Sequence, residues 1–142
     1  MNTAHRSVVL RAPYRAFCLL ALTTLLVALA GCGRVQQTAP AANDGLTITM
    51  TLEPSPPVVG DGIVVLTVKD AAGQPVDGAT VEIEGNMSHA GMKPSFGKTQ
   101  GGQGGVYRVL LQWTMGGDWY VDVKLTLPDG KIASRRFPVT VK

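Results

Sequence analysis

The chain has 142 residues, with 13 basic and 10 acidic side chains, so its formal net charge is +3. Arg6, Arg11 and Arg15 account for that excess, and from Cys32 onward the count is ten of each sign. The basic pI of about 9.1 is thus a property of the N-terminus, and the rest of the chain gives no argument for nucleic acid or an acidic partner.

The first element is a targeting segment. Its positive start contains no acidic residue, and from Ala16 to Ala30 the run AFCLLALTTLLVALA is apolar apart from two threonines. A basic flank, a short apolar stretch and a small-residue cleavage site describe a signal peptide, and the run falls short of the roughly 20 residues a spanning helix needs. The ending Leu29-Ala30-Gly31-Cys32 resembles the bacterial lipobox, which implies cleavage before Cys32 and acylation of its thiol. The alternative is an uncleaved anchor helix with an incidental cysteine; both put the domain outside the cytoplasm. With no twin-arginine pair, the general secretion route is the simpler expectation. The expected location is the cell membrane, with the domain facing the periplasm or the cell exterior.

Cysteine use follows from this. Cys18 falls within the signal and Cys32 carries the lipid, so the mature domain has no free thiol and no internal disulfide. Thiolate catalysis, redox CxxC chemistry and Cys-ligated zinc or iron–sulfur sites are excluded.

The expected organisation is a signal peptide over 1–31, a polar Ala/Pro-rich tether over 32–45 and one domain over 46–142. Within the domain, period-2 runs predict strands at 46–52, 63–68, 79–83, 106–113, 119–127 and 132–141. Gly60-Asp61-Gly62, KDAAGQPVDG and Pro128-Asp129-Gly130 read as turns. The fold expectation is an all-β, immunoglobulin-like antiparallel sandwich of about seven strands. Trp119 alternates in phase with Val121, Val123 and Leu125 and is expected in the core, and Trp113 and Tyr107 are expected in the core or half-buried. Lys93, Lys98, Arg135 and Arg136 are expected as a solvated charge set.

The longest stretch without a strand pattern is 85–105, GNMSHAGMKPSFGKTQGGQGG, and it holds the one histidine of the mature domain. Loops of this length are commonly functional. Met87, His89 and Met92 stand within six residues. Thioether sulfur has little affinity for magnesium, calcium or zinc and suits Cu(I). Met87 and His89 share a face if the segment is extended, and Gly91 lets the chain turn so that Met92 returns to the same centre. Met115, in the turn before Gly116-Gly117-Asp118-Trp119, is a candidate fourth ligand. The plain alternative is that Met87 ends a strand as a core residue and His89 is a surface side chain. No nucleophile–base arrangement, calcium loop or phosphate-cradling loop is visible, so an enzyme is not expected.

The Met-x-His-x-x-Met loop, the Gly105-Val106-Tyr107 strand start and the Met115-to-Trp119 turn together resemble the YtkA-like domain, a family related to FixH-type proteins. The resemblance covers 46–142. It implies a small immunoglobulin-like sandwich on the outer face of the membrane, associated with copper handling or assembly of copper-containing oxidases. Many members carry Met-Pro near the histidine, and here Met87-Ser88-His89 lacks that proline. The functional expectation is a non-catalytic, lipid-anchored copper-binding protein with Met87, His89, Met92 and Met115 as ligands. Its partners would be the membrane and a copper-dependent membrane protein or metallochaperone. The alternative is a structural or protein-interaction module that binds no metal.

Overall fold

A computed structural model of the protein describes residues 36–38, 44–89 and 91–142; the expected signal peptide and Cys32 lie outside the described residues. Eight strands follow in chain order: β1 (Gln37–Thr38), β2 (Thr47–Glu53), β3 (Gly60–Lys69), β4 (Thr80–Met87), β5 (Ser95–Gln100), β6 (Val106–Trp113), β7 (Gly117–Thr126) and β8 (Ile132–Val141). They form two four-stranded sheets, ordered β1-β2-β3-β6 and β5-β4-β7-β8, with every pair antiparallel. Seven long strands and the two-residue β1 make an immunoglobulin-like β-sandwich.

Alternation decides which face of each strand is buried. Ile48 and Met50 of β2, Val64, Leu66 and Val68 of β3, and Tyr107, Val109, Leu111 and Trp113 of β6 point inward from one sheet. Val81, Ile83 and Met87 of β4, Trp119 to Leu125 at every second place in β7, and Phe137, Val139 and Val141 of β8 meet them from the other. A one-residue slip in any pair would turn a whole apolar row to water, so the register is tightly specified. Trp113, Trp119 and Tyr107 are core residues, as their phase predicts.

Three expectations need correction. The stretch 85–105 is not one loop: β4 runs on to Met87 and β5 occupies Ser95–Gln100. β5 carries no apolar alternation because its inward places are small. A Cβ built on Gly97 would lie 2.5 Å from the Leu110 carbonyl oxygen and 2.6 Å from Val109 Cγ1. β5 thus passes against β6 at a corner where the two sheets close, and the Ser95 hydroxyl donates to the Gln112 carbonyl at 2.6 Å. Phe96 points out to solvent, 70 % exposed.

The Gly60-Asp61-Gly62 segment is likewise not a turn but the start of β3. Gly62 faces inward because the Trp113 indole fills its place; a Cβ there would lie 2.6 Å from Trp113 Nε1.

Arg135, finally, is not solvated. It occupies an inward place of β8, and its side chain is only 4 % exposed. Its guanidinium donates to both Asp44 carboxylate oxygens at 2.8 and 2.7 Å, and to the carbonyls of Leu46 (3.1 Å) and Ser134 (2.9 Å). A buried cation requires this kind of pairing. The guanidinium in turn holds the Asp44 carboxyl below its ordinary range. Within the span 32–45, Gln37 and Thr38 pair with Met50 and Thr49 of β2.

Candidate metal centre

β2, β4, β6 and β8 all finish at one end of the sandwich, and β3 and β7 start there. Met87 is the last residue of β4, directly opposite Trp119 of β7. It is an inward place, and Met87 is 8 % exposed. Its methyl group lies 3.2 Å from where a Cβ of Gly117 would stand. Gly117 has φ of +126°, a backbone state open to glycine and costly for any L side chain, so the crowding and the conformation both require glycine.

Two indoles floor this end. Trp113 and Trp119 pack edge to face, with centroids 5.4 Å apart and planes at 85°. Gly85 packs beside them: a Cβ there would crowd Leu111 Cδ2 at 3.0 Å and meet Trp119 Cε3 at an ordinary 3.7 Å. Buried Trp119 uses its polar edge to fix the β6–β7 turn, donating from Nε1 to the Met115 carbonyl at 3.0 Å. The Met115 side chain itself is 48 % exposed.

Beyond Met87 the strand pairing continues for one weak bond, Ser88 N–H to the Asp118 carbonyl at 3.4 Å, and Ser88 and His89 then bend away. The face shared by an extended Met-x-His pair therefore does not extend to His89: Met87 points into the core and His89 is exposed. Gly91 turns the chain at φ of +87°, and Met92 returns half-buried against the core cluster. One thioether is thus inside the core, one lies on its border, and Met115 and His89 lie outside, all at the same end. The plain alternative for Met87, a strand-ending core residue, describes its burial.

The donor chemistry at this end is soft. Among the described residues no group of three or more His, Cys, Asp or Glu side chains is placed to hold an ion. Three thioethers and one imidazole fit a d¹⁰ Cu(I) ion and fit a hard cation poorly.

A depression of about 820 Å³ lies elsewhere, on the outer face of β5-β4-β7-β8, lined by Phe96, Glu82, Lys98, Asp122, Lys124 and Arg136. Its named charges are ion-paired, two acids against three bases. Glu82 accepts from Lys98 at 2.9 Å and Lys124 at 3.3 Å, and these bonds hold its carboxyl below the ordinary range. Arg136 binds Asp122 at 2.6 Å and stacks 4.2 Å above the Tyr120 ring centre.

The sequence pattern missed Gly117 and Gly85, which leave space for the Met87 methyl and the Leu111 side chain. It also missed the exposed Val58 and Val59. The one available signal for Gly117 was its place immediately before a predicted strand, which does not distinguish it from any turn glycine.

These features define a class: an immunoglobulin-like β-sandwich with a thioether-bearing, indole-floored end. The chain belongs to the YtkA-like family, whose model matches residues 41–124, more than half of its length. No curated protein matches it. Among solved structures, the soluble domain of PmoD from Methylocystis sp. ATCC 49242 (Rockwell) is similar over 74 % of this chain and 97 % of that one, at 14 % identity and a TM-score of 0.48.

Proposed function

We propose that the protein is a membrane-anchored, extracytoplasmic copper-binding lipoprotein that holds Cu(I) at the methionine-bearing end of the sandwich. The observation that supports the reading is that Met87, Met92, Met115 and His89 all lie at that one end of the sandwich, with no competing cluster of hard ligands among the described residues. Cu(I) supplies a soft centre content with two to four ligands. The chain's own residues divide the work. Met87 is held by the core and by Trp119 opposite it, and Met92 rests on the core's border. Trp119 steadies the Met115 turn through its indole N–H. His89 stands in solvent, where an incoming ion meets it first. The role is copper handling or delivery to a membrane oxidase, without catalysis.

Anaerobic titration of the apo-protein with Cu(I), against a competing chelator, tests this. One Cu(I) per chain is the expected result, with at least a tenfold weaker affinity in His89→Ala and in the near-isosteric Met92→Leu. Stoichiometry well below one, or wild-type affinity in both variants, refutes the reading.

The burial of Met87 favours a second reading, a sandwich that binds a protein partner and no metal. That reading requires partner capture from metal-free membranes that survives His89→Ala but not removal of 88–94.

A further inference from the structure

The same end of the sandwich carries exposed apolar side chains: Val58 at 45 %, Val59 at 53 % and Met115 at 48 %. They belong to one surface. Val59 N–H donates to the Lys142 carbonyl at 3.2 Å, and Lys142 N–H to the Pro57 carbonyl at 2.9 Å. A Cβ on Gly116 would lie 3.5 Å from the Val141 carbonyl oxygen. The 54–59 loop, the C-terminal strand and the Met115 turn therefore abut. The loops at this end read PSPPVV (54–59), SHAGMKP (88–94) and TMG (114–116); none has an acidic side chain, and they contain Lys93. Three acidic strand residues border this end: Glu53, which pairs with Arg108, exposed Asp61, and exposed Asp118, which accepts from the Thr140 hydroxyl at 2.9 Å. The opposite end also exposes apolar side chains, Ile132 and Val106, but its loops carry Asp70, Asp77 and Asp129.

The direction of the chain adds a second observation. β2 runs toward the methionine end, and β1 is antiparallel to it, so the chain enters β1 from that end. Gln37 stands opposite Met50, which pairs with Leu66; Gly60, at the methionine end of β3, is six residues further along. At about 3.3 Å per residue that is a distance of about 20 Å. Cys32 precedes Gln37 by five residues, which span at most about 18 Å. A lipid on Cys32 therefore keeps Gln37 within about 18 Å of the bilayer. That maximum reach is comparable to the distance from Gln37 to the methionine end.

We propose that the methionine-bearing end faces the bilayer and rests Val58, Val59 and Met115 in the headgroup boundary of an anionic membrane. Apolar tips without acidic side chains suit such a surface, whereas the aspartates of the opposite end are repelled by it. The proposal rests on acylation of Cys32 and not on copper. Joined to the copper reading, it means that the metal is exchanged with membrane-embedded partners rather than soluble ones.

The test uses the apo, full-length lipidated protein, so its outcome is separate from any copper titration. Acylation blocks Cys32, which lets a single introduced thiol carry an environment-sensitive fluorophore. Val58→Cys and Asp129→Cys are labelled in vesicles of phosphatidylcholine and phosphatidylglycerol containing doxyl-labelled lipid. The label at 58 is expected to shift to the blue and lose most of its emission to the doxyl groups, while the label at 129 does neither. Adding Val59→Asp is expected to abolish the effect at 58 without changing the thermal melt. Quenching at 129, no quenching at either site, or a blue shift at 58 without lipid quenching (contact with protein instead) overturns the proposal. So does a mature protein whose Cys32 carries no lipid mass.

Discussion

The pair formed by Asp44 and Arg135 offers the sharpest quantitative test of the fold. Asp44→Ala removes the one acidic partner, among the described residues, of a guanidinium whose side chain is 4 % exposed, leaving it the Leu46 and Ser134 carbonyls. Breaking a fully buried pair costs about 3–5 kcal/mol and an exposed one about 0–1. Asp44 is 28 % exposed, so water screens part of the interaction and the expected loss is about 2 kcal/mol. For a domain of about 100 residues that lowers Tm by roughly 8–16 °C. The sign with pH follows from the lowered Asp44 carboxyl. A depressed carboxylate adds stability above its unfolded pKa of about 3.9, and the contribution disappears as pH falls through the folded value. Urea melts should therefore show a constant gap between wild type and Asp44→Ala from pH 7 to about 5, closing below about 4. The double variant Asp44→Ala/Arg135→Met should be more stable than Asp44→Ala alone, because it removes the stranded charge. A gap under about 0.5 kcal/mol, or a double variant less stable than the single, would refute the account of Arg135 as a buried, partner-dependent cation.

Three other outcomes are expected. Tyr107→Phe should cost about 1–3 kcal/mol in denaturant melts, since the buried phenol donates to the Val76 carbonyl at 2.7 Å and accepts from Ala79 N–H at 3.1 Å. Gly97→Ala should cost about 1–3 kcal/mol and raise amide exchange across 95–100, because its Cβ would press on the Leu110 backbone oxygen. Met87→Leu should keep stability within about 1.5 kcal/mol of wild type and lower Cu(I) affinity at least tenfold. Unchanged affinity would remove Met87 from the ligand set.

How legible each element was depended on what its inward places hold. β7 announces itself because its inward row is large and apolar and its outward row polar; β6 and β8 are legible from their runs of β-formers, although Val106, Leu110 and Ile132 stand on outward places. β5 is silent because Ser95, Gly97 and Thr99 occupy its inward places, where β6 leaves no room for side-chain bulk. Its pairing with β4 is backbone chemistry, which leaves no trace in hydropathy. Gly62 reads as a turn glycine for a related reason: the Trp113 ring that demands it comes from a strand some fifty residues later. Arg135 did carry a signal, since it lies in phase with Ala133, Phe137 and Val139 and alternation puts it inside. What the pattern could not supply was its partner, 91 residues away in the chain.

The candidate site has the same logic, with a sharper consequence. Alternation along β4 assigns Met87 to the core side, whereas composition groups it with His89 and Met92, and the two statements pull against each other. A core thioether is fixed and dry; an exposed imidazole two residues on is neither. The structure reconciles them by ending β4 at Met87 and bending the chain at Ser88, so that the boundary of the core falls between the two side chains. On the copper reading this is the useful arrangement. Donors on the core side need no ordering when the metal arrives, while exposed His89 stays free to meet a donor or acceptor protein, and the entropy of ordering is confined to the outer ligands. A site made wholly of loop residues would lose that entropy for every ligand, and one made wholly of core residues could not exchange its ion.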